Sequence, residues 1–175
     1  PNGTSTDSGV NEPHDPFEDA PCPSFDENAD RTVCWHTADT DAEPIYLDAS
    51  TVVFEPSTDD NSVETMEFVL HNNSDGTFGL NPYDWQIQRQ TDDGWEHVAP
   101  DARVEPWLNL EAGLTYTWNL SVERHPTPHQ ERTQAIMEDL DDGTYAVQIT
   151  GLTDQESDDP THVECIALFE VDRKD

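Results

Sequence analysis

The chain alternates between apolar and polar residues over several short segments, which is the pattern of β-strands that bury one face. In the clearest segment, 114–122, every second side chain is apolar or aromatic and those between are Thr, Asn or Ser. Burying one large apolar side chain on such a face stabilises a fold by about 1.5–3 kcal/mol. The alternating segments are 63–71, 83–90, 114–122 and 145–150. They predict a core that includes Phe68, Trp85, Trp118, Tyr145 and Val147.

Turn-forming residues separate these segments at short intervals. The Asp-Asp-Gly sequence at 92–94 predicts a hairpin, and the same sequence at 141–143 predicts a turn that leads directly into a strand. About seven to nine short strands joined in this way favour an all-β fold, an antiparallel β-sandwich. The spacing of Ile136 and Leu140 predicts one short helix over 130–140.

The two ends of the chain have contrasting patterns. Segment 162–171 is apolar on both faces, which predicts a last strand that is covered on both sides, with the residues around Cys34 and Trp35 as the cover. Residues 1–30 are rich in Pro, Asp, Gly, Ser and Asn, and they lack apolar periodicity. We therefore expect a flexible acidic tail or stalk over 1–30 and a folded domain over 31–175.

The charge of the chain narrows the classes of partner. There are 39 acidic and 7 basic residues among 175, for a formal net charge of −32. Such a field repels nucleic acid and anionic membrane surfaces, so neither is an expected partner. An acidic disordered chain could carry this charge, but five Trp and clean strand alternation favour a folded protein adapted to very high salt. Membrane attachment is expected only through a lipid anchor upstream of residue 1.

Several segments together resemble an immunoglobulin-like β-sandwich, namely 68–75, 85–87 with 93–98, 111–117 and 142–147. The run Leu-Asp-x-Gly-x-Tyr that ends at Tyr145 resembles the start of the penultimate strand of such domains, where the Tyr hydroxyl bonds back to the preceding corner. Val147 occupies the position of their core Cys. The resemblance is to prokaryotic cell-surface lipoproteins, and the composition resembles haloarchaeal surface proteins without assigned activity. A small group of proteinase inhibitors shares the late part of the pattern.

Three cysteines permit one disulfide and one remaining thiol. Cys22 and Cys34 flank a polar loop, and this is the preferred pairing, which would stabilise the fold by about 3 kcal/mol. The alternative pairs Cys34 with Cys165 and would join the N-terminal segment to the last strand.

Candidate chemistry is sparse. His125 and His129 lie close together in sequence and His36 lies two residues after Cys34, but neither arrangement has a known metal-ligand spacing. The sequence contains no hydrolase elbow, phosphate-binding loop or metalloprotease helix, so we predict no enzyme, no resident metal and no cofactor. Weak binding of Ca²⁺ or Na⁺ is expected at most at two acid-rich turns, 57–61 and 154–159.

Two further sets of residues suggest surface functions. Asn2, Asn72 and Asn119 lie in Asn-x-Ser/Thr sequons and are glycosylation candidates, which places them at the surface. Trp35, Trp95 and Trp107 could form a platform for a sugar or peptide, although packing is the preferred role.

These observations lead to one main functional hypothesis and two alternatives. The main hypothesis is a non-catalytic extracellular module at the cell surface of a halophile, with a structural or adhesive role and a protein or glycan as its partner. The first alternative is a self-assembling filament or lattice subunit, joined through its N-terminal segment or its strand edges. The second alternative is an inhibitor of a secreted protease.

Overall fold

The computed structural model describes residue 17 and residues 20–37, 42–56, 65–99, 107–122, 132–153 and 159–173. These residues form twelve strands and no helix, and therefore none of them forms a helix that could cross a membrane. The strands are β1 (Arg31–Cys34), β2 (Ile45–Ala49), β3 (Val53–Phe54), β4 (Met66–Asn72), β5 (Phe78–Leu80), β6 (Gln86–Thr91), β7 (Gly94–Ala99), β8 (Leu108–Leu110), β9 (Thr115–Ser121), β10 (Thr133–Met137), β11 (Gly143–Thr153) and β12 (Thr161–Val171).

Two sheets share one core. The larger sheet contains eight strands around the long hairpin of β11 and β12, and the smaller sheet has the order β10-β9-β4-β2. The side chains predicted as core are all buried between the sheets; Trp85 is the most exposed of them at 9%. The core residues so placed are Phe68, Trp85, Trp118, Tyr145 and Val147.

The strand order is that of an immunoglobulin-like sandwich, in which strands A, B and E share one sheet and C, F and G the other. Strands β2, β4 and β9 take the places of A, B and E, and β6, β11 and β12 take those of C, F and G. The Tyr145 hydroxyl donates to the carbonyl of Asp141 over 2.7 Å, which is the backward bond that the resemblance implied. An immunoglobulin-like β-sandwich is therefore confirmed.

The prediction of a purely antiparallel sheet is wrong. Strands β1 and β3 pair with β12 in parallel, and β10 pairs with β9 in parallel. The alternation of side chains carries no information on strand direction, because parallel and antiparallel strands both repeat every two residues. The described residues form twelve strands where about seven to nine were predicted, because strands of three residues, such as β5 and β8, are too short to show alternation.

The prediction of a helix over 130–140 is also wrong for the described residues of that segment. Residues 133–137 form β10, with Ile136 buried against the core. An isolated helix of about ten residues is marginal in water, whereas the edge of β9 offers backbone partners on both sides of the segment: the Arg132 carbonyl accepts from Thr117, and the Glu138 N–H donates to the Ser121 carbonyl.

Candidate functional site: the N-terminal strap and the open sheet face

The outer face of the larger sheet is covered by the beginning of the chain. We call residue 17 and residues 20–30 the N-terminal strap. Phe17 is 5% exposed, and it packs in a second apolar cluster with side chains of β11 and β12 on the side away from the main core. Residues 17 and 20–30 therefore pack onto the folded domain. They were predicted to belong to a flexible tail, and for these residues the predicted boundary at residue 31 lies too far along the chain. Residues 1–16 lie outside the described part of the chain.

A disulfide bonds the strap to β1. Cys22 and Cys34 are bonded, with their Cα atoms 5.7 Å apart, which is the first of the two pairings considered from the sequence. Cys165 is a free, buried thiol. The pairing therefore joins the strap to β1 at the edge of the larger sheet, and closes a short loop instead of joining the strap to the last strand.

The buried thiol predicts a loss of stability in alkali. Burial, followed by the negative charge of Glu164, raises the pKa of Cys165 from 9.0 to about 12. Above about pH 9 the unfolded chain releases this proton while the folded chain keeps it, so the unfolded state binds fewer protons and stability falls as the pH rises towards 12. We expect a loss of about 2 kcal/mol by about pH 10.5, measured by urea unfolding after short incubation. The slope should diminish in Cys165→Ala, and an equal slope in both proteins would contradict the assignment.

A buried carboxylate holds the middle of the strap. Glu164 is fully buried on the outer face of β12. One of its oxygens accepts from the hydroxyls of Ser24 and Thr32 over 2.7 and 2.8 Å, and the other accepts from the Phe25 N–H and the Gln148 side chain over 2.8 and 2.6 Å. Four donors compensate the loss of hydration, which is the condition under which a carboxylate can be buried without a cation.

Two histidines contact the strap at separate points. The Nε2 atom of His36 lies 3.0 Å from the carbonyl oxygen of Ala20 and 3.2 Å from that of Pro21, so this nitrogen is the donor. The Nε2 atom of His162 lies 2.9 Å from a carboxylate oxygen of Asp26. His36 therefore bonds to the backbone of the strap, and the residues that the structure describes contain no cluster of three metal-ligating side chains. His125, His129 and most of the two acid-rich turns lie outside those residues.

The three Trp residues considered as a platform occupy different environments. Trp95 packs edge-to-face on Phe25 of the strap at 5.6 Å, and Trp35 packs against the main core. Trp107 is 53% exposed, and its indole N–H donates to Asn109 over 3.2 Å. Two of the three are thus used in packing, and one presents its ring to solvent.

The sequon at Asn72 is inside the protein, so the expected surface position is wrong. Its amide nitrogen donates to the carbonyls of Gly76 and Leu110, and its oxygen accepts from Ser74. Polar side chains at strand ends are used in this way to satisfy backbone groups in turns. Asn119 is partly exposed on β9, and Asn2 lies outside the described residues.

Three partly exposed side chains, Tyr46, Asp48 and His71, form a polar cluster on the smaller sheet. Tyr46 stacks on His71 with ring centroids 4.7 Å apart, and the Nε2 atom of His71 lies 2.7 Å from a carboxylate oxygen of Asp48. The three side chains come from β2 and β4, which are neighbours in the sheet. The cluster therefore places an aromatic ring beside a carboxylate–imidazole pair at a partly exposed site.

The strap was not predicted from the sequence because only isolated residues indicate that it packs on the domain. Phe17 and Phe25 are single aromatic residues in a polar segment, and Glu164 stands among apolar residues in the middle of a strand. A carboxylate at an interior position of a strand predicted to be covered on both sides is a detectable signal, because a buried carboxylate needs donors from its cover.

No protein-family model and no curated protein matches the sequence. Among solved structures, the chain is similar to one described as the periplasmic chaperone SfaE, with 9% sequence identity and a TM-score of 0.36. The similarity covers 70% of this chain and 56% of the chaperone, so the chain spans little more than half of that protein.

Proposed function

We propose that this chain is an exported, non-catalytic module of the cell surface with a structural or adhesive role. The observation that supports the proposal is the fastening of the strap by the disulfide between Cys22 and Cys34. Structural disulfides form and persist in oxidising compartments outside the cytoplasm. The net charge of −32 suits a molecule that works in concentrated salt, where charges at this density are screened.

The proposed contact surface is the outer face of the smaller sheet. The strap occupies the corresponding face of the larger sheet, so the two faces differ in what they can offer a partner. Tyr46 and the pair of His71 and Asp48 supply stacking, hydrogen-bond donors and acceptors, the groups with which proteins bind glycans and polar protein surfaces. A protein or glycan at the cell surface is the proposed partner.

Self-assembly remains the second candidate function, and the contacts of the strap bear on which segments could join neighbouring subunits. Residues 20–34 are bonded to the sheet of their own chain through β1, Glu164 and the disulfide, which disfavours their use in joining a neighbouring subunit. The remaining route within the described residues is an exposed strand edge. No observation favours protease inhibition, which stays a hypothesis.

If the protein is exported, the number of free thiols per chain should differ before and after reduction. The protein is taken from its native cells and alkylated in denaturant, without reductant, at the moment of lysis. It should then carry one alkyl group per chain, on Cys165. The same sample alkylated after reduction should carry three, since the chain has three cysteines. Antibody against the domain should also label intact cells. Three alkyl groups without reduction, or labelling only after lysis, would refute the proposal.

A further inference from the structure

The N-terminal strap consists of two parts that are attached to the larger sheet in different ways. The first part is residue 17 with residues 20–23, and the second part is residues 24–30. The carboxylate of Glu164 accepts hydrogen bonds from the beginning of the second part, and the Asp30 N–H at its end donates to the backbone of β12 over 2.8 Å. The second part is therefore bonded to the sheet near both of its ends.

The first part is attached mainly by side chains. Pro21 and Pro23 have no N–H, and the Ala20 N–H donates to the Phe17 carbonyl inside the strap over 3.0 Å. The contacts of this part with the domain include the Phe17 ring in the second apolar cluster and the two carbonyl groups that face His36. The disulfide is the covalent bond that joins this part directly to β1.

The two cysteines of the disulfide differ in their exposure to solvent. Cys22 is exposed, whereas Cys34 is 1% exposed and belongs to the same apolar cluster as Phe17. A disulfide is reduced when a thiolate attacks one of its sulfur atoms, and the rate depends on access to that sulfur. A reductant in solution can therefore approach the folded protein at Cys22.

We propose that the disulfide between Cys22 and Cys34 is a redox switch that controls the first part of the strap. When a dithiol reduces the bond, the first part leaves the sheet, while the second part and the sandwich stay folded. The departure of Phe17 uncovers the apolar side chains of its cluster on β11 and β12, which are Ala146, Ile166 and Leu168. In an oxidising compartment the strap stays closed.

The reaction exchanges one disulfide for another. A thiolate of the dithiol attacks the Sγ atom of Cys22, the bond between the two Sγ atoms breaks, and Cys34 leaves as a thiolate that takes up a proton. The second thiol of the reagent loses its proton and displaces Cys22, which takes up a proton in turn. Two electrons pass to the protein, which gains two thiols, and the reagent becomes a cyclic disulfide. The reverse reaction closes the strap again.

The first part opens after reduction because little else holds it in place. The disulfide joins residues 12 positions apart and so restricts the chain between them. Without this restriction, fixing the backbone of several residues costs conformational entropy. Phe17 is the one large apolar side chain among the described residues of the first part, and its burial offsets only a fraction of that cost.

The three cysteines of the chain report three different events. Modification of Cys22 reports reduction, and modification of Cys34 reports that the strap has opened above it. Cys165 pairs with Val33 in the parallel register of β1 and β12, and both face the main core, on the opposite side of the sheet from Cys34. Modification of Cys165 therefore reports opening of the sandwich itself.

Timed alkylation of the whole chain in molar salt tests the switch. The folded protein is treated with dithiothreitol, freed of the reagent without access to oxygen, and exposed to iodoacetamide before peptide mapping by mass spectrometry. Cys22 and Cys34 should react at rates within about tenfold of each other, and Cys165 at least about a hundredfold more slowly. In urea all three cysteines should react at similar rates, which provides the reference.

Proteolysis locates the opening. Chymotrypsin cleaves after aromatic residues, and Phe17 is the first aromatic residue of the chain. The reduced and alkylated protein should be cleaved after Phe17 at least about tenfold faster than the oxidised protein, while cleavage after Phe25 stays slow in both. The matched variant Cys22→Ala/Cys34→Ala should be cleaved after Phe17 as fast as the reduced protein, without any reagent.

Three results would overturn the proposal. Modification of Cys22 without Cys34, with unchanged cleavage after Phe17, would mean that the strap stays closed. Equal rates at all three cysteines would mean that reduction unfolds the whole domain, and a bond that dithiothreitol reduces only in urea would mean that Cys22 is not accessible. The inference goes beyond the proposed surface role and can fail separately from it, because the thiol count in cells reports the compartment and these measurements report the strap.

Discussion

Replacing Glu164 with Ala is expected to lower the free energy of unfolding by about 4 kcal/mol. The substitution removes the acceptor of four hydrogen bonds, and where the strap stays docked it leaves the donors of Phe25, Thr32 and Gln148 without this partner. Each buried donor left without a partner costs about 1–3 kcal/mol, and the contributions are not additive. The loss should be large because one carboxylate serves the strap, β1 and β11 together.

Urea unfolding measures this loss, and hydrogen exchange locates it. The Phe25 N–H donates to Glu164, so its exchange should accelerate in the variant before the whole protein unfolds. Glu170→Ala is the matched control, since Glu170 lies on the same face of β12 and is only partly buried; it should change stability by less than about 0.5 kcal/mol. Equal losses in the two variants would show that Glu164 does not hold the strap.

The sheets could be predicted from the sequence because their faces are regular. Strand β4 alternates between buried and more exposed residues along its whole length, and the turn before Tyr145 leads into β11 as expected. The pairing of Cys22 with Cys34 is the favoured one of the two that the sequence leaves open, because these residues are near each other in sequence. These features depend on local spacing, and local spacing is what a sequence displays directly.

The strap and β10 could not be predicted because they depend on contacts between distant residues. Phe25 and Glu164 are 139 positions apart, and a polar segment gives no periodic signal that it will dock. For β10, the spacing of Ile136 and Leu140 fits a helix and also fits the inward face of an extended chain, since both residues are at even positions. The edge of β9 decides between the two conformations, and that edge exists only in the folded sheet.

The second large effect is expected at Gly151, near the end of β11 that leads into the connection to β12. We expect Gly151→Ala to lower the free energy of unfolding by more than about 3 kcal/mol. A Cβ atom at this position would lie 2.4 Å from the Phe78 ring and 2.6 Å from the carbonyl oxygen of Gly79. The ring is fully buried, and the carbonyl belongs to the backbone of β5, which pairs with β11 at this point. Neither group can move aside without opening the sheet.

A double-mutant cycle separates this clash from a general effect of replacing glycine. Gly76→Ala is the control, because a Cβ there meets nothing within 4 Å, and it should change stability by less than about 0.5 kcal/mol. Phe78→Ala alone should cost about 3–5 kcal/mol by leaving a cavity. The double variant Gly151→Ala/Phe78→Ala should cost less than the sum of the single changes, because removing the ring relieves the closest of the contacts. Additive losses would mean that the ring and residue 151 do not meet, and therefore that β5 does not pack against β11 as described.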